Sequence, residues 1–272
     1  MERNGLGVCV LMSCMYQKDD SIVERTNIQT DVVVINQCDE EKVAERFLIN
    51  NKGRECLVRF ICTRERGLSR SRNMAINYAT QPICLICDDD ELLENDYEEK
   101  ILQAYSDNPE MDCILFMIDR RDRDIPKIYP SVAGPVGLKQ ILQSSSVQIT
   151  FCHNPVTQLG ITFDTMLGSG SGNGGGEENK FLLDIRRYRL KIYYVPVKIG
   201  AVMSGNSQWF SGFTEQYMRN RGWSSRRSLG SFWGFVYTIV FWLRHKKLIS
   251  KELPAIKGLF FLMQGYYEKR VG

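Results

Sequence analysis

The chain has 272 residues, 43% of them apolar, which suits one large domain or one domain with an appendage and supplies a sizeable core. Its nine cysteines all lie between Cys9 and Cys152, mostly inside apolar runs, and Met1 to Gly7 lacks the long apolar stretch of a secretory signal. Reduced, buried thiols in a cytosolic chain are therefore expected rather than a disulfide framework. Cys84 and Cys87 form a lone CxxC on a short strand pattern, which points them to opposite faces. With only His153 and His245 in the chain, a zinc or thioredoxin-type site is not expected.

The net charge of +3 hides an asymmetry. From Gly205 onward there are 11 basic and 3 acidic side chains, a balance of +8, against 24 and 29 before it, a balance of −5. An acidic body with a basic, aromatic-rich tail points to contact with nucleic acid or an anionic membrane surface.

In chain order, "VCVLMSCMY" (8–16) predicts a buried strand and "DVVVIN" (31–36) a second, short and β-branched. Asn51-Lys52-Gly53-Arg54 reads as a turn before a third strand, "ECLVRFICT" (55–63). Gly67 breaks the chain, and Ser69 or a neighbour can cap a helix over "SRSRNMAINYA". "ICLIC" (83–87) is a fourth buried strand. An amphipathic helix over 94–108 follows, with Tyr97, Ile101, Leu102 and Tyr105 at helical spacing, then a fifth strand over 112–118. Strands alternating with helices imply an α/β layer with a mostly parallel sheet, in which ligands bind beyond the carboxyl ends of the strands. Within 119–165, "RRDRD" (120–124) reads as a solvated loop and "SVQITFCHN" (146–154) as strand-like. The glycine-rich loop "GSGSGNGGG" (168–176), an amphipathic helix "EENKFLLDIRRY" and a strand "LKIYYVP" (190–196) complete this part. A boundary near residue 204 separates the body, 1–204, from the tail, 205–272.

Three motifs carry charge or glycine. Gly170, Gly172 and Gly175 match GxGxxG before a helix, but no acidic residue near 195 is placed to bind a ribose, and no Lys-Ser/Thr pair makes a phosphate-binding P-loop. The loop instead lets backbone approach a ligand closely, or moves as a lid. Glu177 and Glu178 open the following helix, where unpaired amides favour the anion. They read either as capping or as a general base at the rim of a cleft. Asp88, Asp89 and Asp90 end the fourth strand. Like charges this close repel and call for a positive partner. One reading of them is a solvated turn. The sharper one is a site for Mg²⁺ or Mn²⁺, which take one or two carboxylates together with phosphate oxygens. A phosphatase-type Asp-x-Asp-x-Thr is excluded, because residue 92 is Leu92.

"TRERGLSRSRNMAIN", "ICLICDDDELL" and "GGGEENKFLLD", in this order and spacing, make residues 7 to about 200 resemble a family-2 glycosyltransferase of the bacterial capsule and O-antigen polysaccharide type. The resemblance implies a GT-A fold, Rossmann-like, with a mostly parallel central sheet, flanking helices and C-terminal amphipathic helices. It implies that Asp88 and Asp90 hold the nucleotide ribose and a Mn²⁺ or Mg²⁺ ion, with Asp89 also on the donor nucleotide. Ser13, Met15 and Tyr16 would border the nucleotide base. Asn36 and Gln37 stand where the family usually carries acids. Arg66 and Arg72 would approach the nucleotide, while Arg70 lies at the surface. Glu178 matches the catalytic base, with Glu177 facing acceptor or donor sugar. The implied reaction is transfer of a hexosyl group, with inversion, from a UDP-linked sugar to a hydroxyl of a glycan acceptor carried on a lipid diphosphate. A silent sugar-nucleotide-binding scaffold subunit is the alternative.

In the tail, the uncharged run "SLGSFWGFVYTIVFWL" (228–243) has 16 residues, short of the roughly 20 that span a bilayer. Its flanking Arg226, Arg227, Arg244, Lys246 and Lys247 suit an interfacial helix, peripheral on the inner face of the cell membrane. A helix pair packed on the catalytic domain is the structural alternative. A nucleic-acid partner is not expected, since the acidic cleft and the apolar run argue against one.

Overall fold

The computed structural model describes residues 6–121, 127–203 and 212–270. Two compact units divide them. The first lies within Met1–Arg66, Arg70–Thr162 and Asp184–Gly205, and the second within Gly67–Ser69, Phe163–Leu183 and Asn206–Gly272. The glycine loop thus groups with the tail. The residues around the expected boundary at 204, and Asp122–Asp124 of the expected solvated loop, lie outside the described residues.

In chain order the elements are β1 (Val8–Met15), α1 (Ile22–Arg25), β2 (Asp31–Gln37), β3 (Lys42–Ile49), β4 (Glu55–Thr63), α2 (Leu68–Asn77), β5 (Ile83–Asp88), β6 (Glu91–Leu93), α3 (Tyr97–Asp107), β7 (Cys113–Arg120), β8 (Gly134–Pro135), α4 (Leu138–Ile141), β9 (Ile149–Cys152), α5 (His153–Gln158), α6 (Glu177–Arg187), β10 (Ile192–Val202), α7 (Glu215–Ile249) and α8 (Ala255–Tyr267). One sheet runs β3-β4-β2-β1-β5-β9-β7-β10-β6, with β8 paired to β10.

The α/β architecture is the one predicted, and the sheet is mixed. β4, β2, β1 and β5 are mutually parallel, as are β7 and β10, while β9 joins the two groups antiparallel to both β5 and β7. The parallel strands are the ones that read as continuous apolar runs, because both of their faces are covered. Val10, Leu11, Met12, Val34, Leu85 and Ile86 are all fully buried. β3 was not foreseen. It is an antiparallel edge strand on β4, largely exposed, with Lys42, Glu45 and Arg46 on an edge that such charges protect. The stretch 146–154 splits into a single 3₁₀ turn (Ser146–Gln148), the short β9 and the start of α5. Ser69 does not cap α2; its hydroxyl donates to the carbonyl of Leu167 at 2.7 Å. All nine cysteines are free thiols.

The topology fixes where a ligand can sit. β1 is flanked by β2 on one side and β5 on the other, both parallel to it, so the connections leave in opposite directions. Their carboxyl ends therefore border a crevice at a switch point, the usual ligand position of such sheets. Met15 and Tyr16, Asn36 and Gln37, and Asp88 to Asp90 all lie there.

In the second unit, Phe163 stacks on Phe181 at 4.2 Å, and α7 and α8 form a hairpin around Met218, Phe241, Ile249 and Leu262. The two helices touch backbone to backbone. A Cβ at Gly222 would run into the Leu262 carbonyl, and one at Gly265 into that of Arg219. α7 breaks at Gly230, whose φ of 77° is open to glycine. No helix among the described residues is long and apolar enough to cross a membrane.

Candidate active site

The aspartate cluster finds its positive partner inside the first unit. Arg72 of α2 is 1% exposed, and its Nη2 donates to Asp88 Oδ1 at 2.9 Å. Ser146, from the 3₁₀ turn before β9, donates Oγ to Asp88 Oδ2 at 3.2 Å. Both carboxylate oxygens of Asp88 are thus oriented by elements far apart in sequence. Alongside, Ser71 Oγ donates to Ser13 Oγ at 2.8 Å, and Ser13 is the register partner of Asp88 across β1 and β5. Asp89 faces outward, and its carboxyl lies above the usual range through desolvation and the neighbouring Asp88 charge. Asp90 is half-buried, and its carbonyl accepts from Met203 N at 2.9 Å.

Glu91 was not singled out by the sequence. It is 2% exposed, no hydrogen bond reaches either of its carboxyl oxygens, and burial with the Asp88 charge pushes it well above the usual range. Burial beside the Asp88 charge thus disfavours its ionised form. The signal for it was the three-residue strand β6, in which Glu91 alternates with Leu92 and shares the buried face of Leu93. Ser146 carried no signal at all within "QSSSVQ". Among the described residues no group of three or more His, Cys, Asp or Glu side chains could by itself hold a metal ion.

The strand-end residues form a second group. Asn36 is fully buried and brackets the backbone of one residue. Its Oδ1 accepts from Gln17 N at 2.9 Å, and its Nδ2 donates to Gln17 O at 2.8 Å. It shapes the loop after β1 where the family's usual acid would carry charge. Gln37, buried, accepts at its carbonyl from Tyr16 N. Tyr16 holds a left-handed φ of 51° and is 60% exposed, so its ring stands out from the loop. Arg66 lies over that ring at 5.6 Å and pairs with Asp39 at 2.6 Å. Met15 is exposed and Ser13 buried. Arg70 sits at the surface, paired with Glu65. Beside Tyr16, Gln17, Asn36 and Cys38 opens a cavity of about 500 Å³, within the size range of small-ligand sites.

The glycine loop and its glutamates belong to the second unit. Gly168, Gly170, Gly172, Gly174 and Gly176 all have positive φ, an alternating pattern that L side chains resist. Of the GxGxxG match, Gly170 and Gly172 have positive φ and Gly175 does not. Glu177 is 3% exposed and its Oε2 accepts from Gly176 N at 3.0 Å, which ties the loop to the first turn of α6. Glu178, one residue on, is half-buried and reaches solvent.

Residues 20–157, about half of the chain, match the family model described as glycosyl transferase family 2. The chain belongs to glycosyl transferase family 2. Solved structures of TarS from S. aureus share this chain's fold. Its residues 1–349 superpose with a TM-score of 0.56 at 15% identity, covering 81% of this chain and 64% of that one. The same fragment in complex with UDP-GlcNAc gives 0.57 at 16% identity, covering 82% and 67%. TarS itself gives 0.55 at 14%, covering 97% of this chain and 44% of that one. No curated protein matches the chain.

Proposed function

We propose that this glycosyltransferase moves a hexosyl group, with inversion, from a UDP-linked sugar to a hydroxyl of a glycan acceptor on a lipid diphosphate in polysaccharide synthesis. The observation that carries the reading is the doubly oriented Asp88 at the carboxyl end of β5, in a chain of this family. The TarS complexes with UDP-GlcNAc and UDP support a uracil nucleotide as the donor's carrier.

In this reading Asp88 and Asp90 hold a Mn²⁺ or Mg²⁺ ion. The donor set fits a cation shared with substrate phosphates better than one caged by protein, since Mg²⁺ sites commonly use one or two carboxylates. When bound, the ion offsets the charge that develops on the departing diphosphate. Arg72 and Ser146 keep Asp88 aimed. The cavity beside Tyr16 and Asn36 accepts the nucleotide base, with the Tyr16 ring as a stacking surface. Glu178 takes the proton from the attacking hydroxyl, and Glu177, held by the loop, sets the start of the helix that presents it.

The tail binds an anionic membrane surface peripherally, close to a lipid-linked acceptor. Phe232, Trp233 and Phe260 are each more than half exposed, and Arg244, Lys246, Lys247, Lys251 and Lys257 are exposed with them. UDP-, GDP- and dTDP-linked sugars incubated with the chain and Mn²⁺, with nucleotide release as readout, test the function. Release from a UDP-sugar that stops in excess chelator is expected. Binding without turnover of any donor would instead mark a silent scaffold subunit.

A further inference from the structure

The glycine loop that leads into Glu177 and Glu178 is held from the tail side by two residues that the proposed mechanism leaves unused. Arg270, near the C-terminus, donates Nη1 to Asn173 Oδ1 at 2.9 Å and to Asn220 Oδ1 at 2.7 Å. Asn220, on α7, donates Nδ2 to Gly172 O at 3.5 Å. Its Cβ also lies where a side chain at Gly174 would stand, 3.2 Å from that position. Asn173 in turn donates to Met166 O at 3.0 Å, so the loop is pinned on both sides of its tip. The guanidinium of Arg270 is itself fixed, with 12% of its side chain exposed, the Trp223 ring 5.2 Å away and Glu268 paired at 2.8 Å.

The loop needs such a clip. Six of its nine residues are glycine, which gives up the most conformational freedom on ordering, and five of them hold positive φ. Backbone bonds within the loop are few: Gly168 N to Gly174 O at 2.9 Å and Ser171 N to Gly168 O at 3.1 Å. A general base must sit within hydrogen-bond reach of the proton it removes, and small misplacements are costly. We infer that Asn220 and Arg270 are positioning residues that fix the glycine loop and thereby the placement of Glu178. This inference rests on the reading of Glu178 as the base.

The test measures UDP release from the UDP-sugar turned over in the donor screen, water serving as acceptor, together with UDP affinity and thermal melting of the full chain. Asn173→Ala removes the loop-side acceptor without touching the helix hairpin, and Asn220→Ala removes the hub. Each is expected to lower kcat about 10-fold while UDP affinity changes less than twofold. Asn220→Asp keeps the acceptor for Arg270 but loses the donor to Gly172 O, so it should recover only part of the rate. In a Glu178→Gln background, Asn173→Ala should add less than a twofold further loss, because both changes remove the same contribution. A Glu178→Gln variant with full activity would sink the base assignment, and this inference with it. A slow Glu178→Gln variant beside an Asn173→Ala variant of normal kcat, or an unchanged 10-fold loss in the double variant, would overturn the positioning role alone.

Discussion

Arg72 and Asp88 form a charge pair with the guanidinium in the protein interior and the carboxylate at its edge. Arg72 is 1% exposed, while 31% of the Asp88 side chain remains accessible. The asymmetry matters, because the buried partner is held by packing and the accessible one is free to face a ligand. It also answers why three consecutive aspartates are tolerated at a strand end.

Removing Arg72 should therefore cost both stability and activity. Breaking one side of a fully buried pair costs roughly 3–5 kcal/mol. Asp88 keeps contact with water, so about 2 kcal/mol is expected for Arg72→Met, a fall in Tm on the order of 4–8 °C for a chain of this size. Nucleotide release should fall at least 10-fold, because Asp88 loses one of its two orienting bonds. Thermal melting and the release assay check both, and wild-type values in the two would show that the pair does not aim Asp88.

The two glutamates of α6 should separate. Glu178→Gln keeps the shape and removes the base, so turnover is expected to fall about 10²-fold with UDP affinity retained. Glu177→Gln keeps an acceptor for Gly176 N and should lose less than 10-fold. The reverse ranking in steady-state assays would exchange their roles.

How much of this was legible in the sequence depended on the range of the contacts. β1, β2, β4 and β5 announce themselves as apolar runs, because parallel strands covered on both faces must be apolar throughout. The Asp88 cluster and the Glu178 helix start were readable for the same local reason, each sitting at the end of a recognisable element. β3 was not, since an exposed edge strand needs no apolar face. Nor were Ser146, Asn220 and Arg270. Their partners lie 58, 48 and 97 residues away, and nothing local marks a serine, an asparagine or a terminal arginine as the far half of a bond. Asn36 was identified as a departure from the family's acid, but its bracket on Gln17 needed the β1 loop in place.

Asp164 and Arg227 supply a pH-dependent link within the second unit. Arg227 donates Nε and Nη2 to the two oxygens of Asp164, at 2.6 and 2.9 Å. Burial raises the Asp164 carboxyl, but the bonds from Arg227 outweigh it and leave the group below its usual range. A depressed folded value means that the contribution is present above the unfolded value of about 3.9 and is lost as pH falls through the folded one. Asp164→Asn should cost about 1 kcal/mol at pH 7, as a partly exposed bidentate pair allows. The Tm gap to the wild-type chain should narrow as pH falls below about 3.9. A gap that is constant with pH would mean that packing, not charge, holds these two side chains together.

The tail prediction is sharpened by which basic residues are already engaged. Arg227 is committed to Asp164, and Arg226 lies over the Tyr266 ring at 5.3 Å, so neither is spare for a membrane. Arg244, Lys246 and Lys247 are exposed on the last turns of α7, beside exposed Leu243 and Leu248. Each basic residue near an anionic surface contributes about 1 kcal/mol, screened beyond about 8 Å at physiological salt. Changing these three to Gln should therefore weaken binding to phosphatidylserine-containing vesicles about 100-fold while leaving thermal stability and UDP affinity as they were. Phe232 and Trp233, 69% and 61% exposed, should add an apolar share that salt does not remove, so Trp233→Ser should weaken binding at high salt as well as low. Cosedimentation at two salt concentrations separates the two contributions. Equal binding of the wild-type chain and the triple variant to anionic vesicles, matched on neutral ones, would leave the exposed face of α7 without a membrane role.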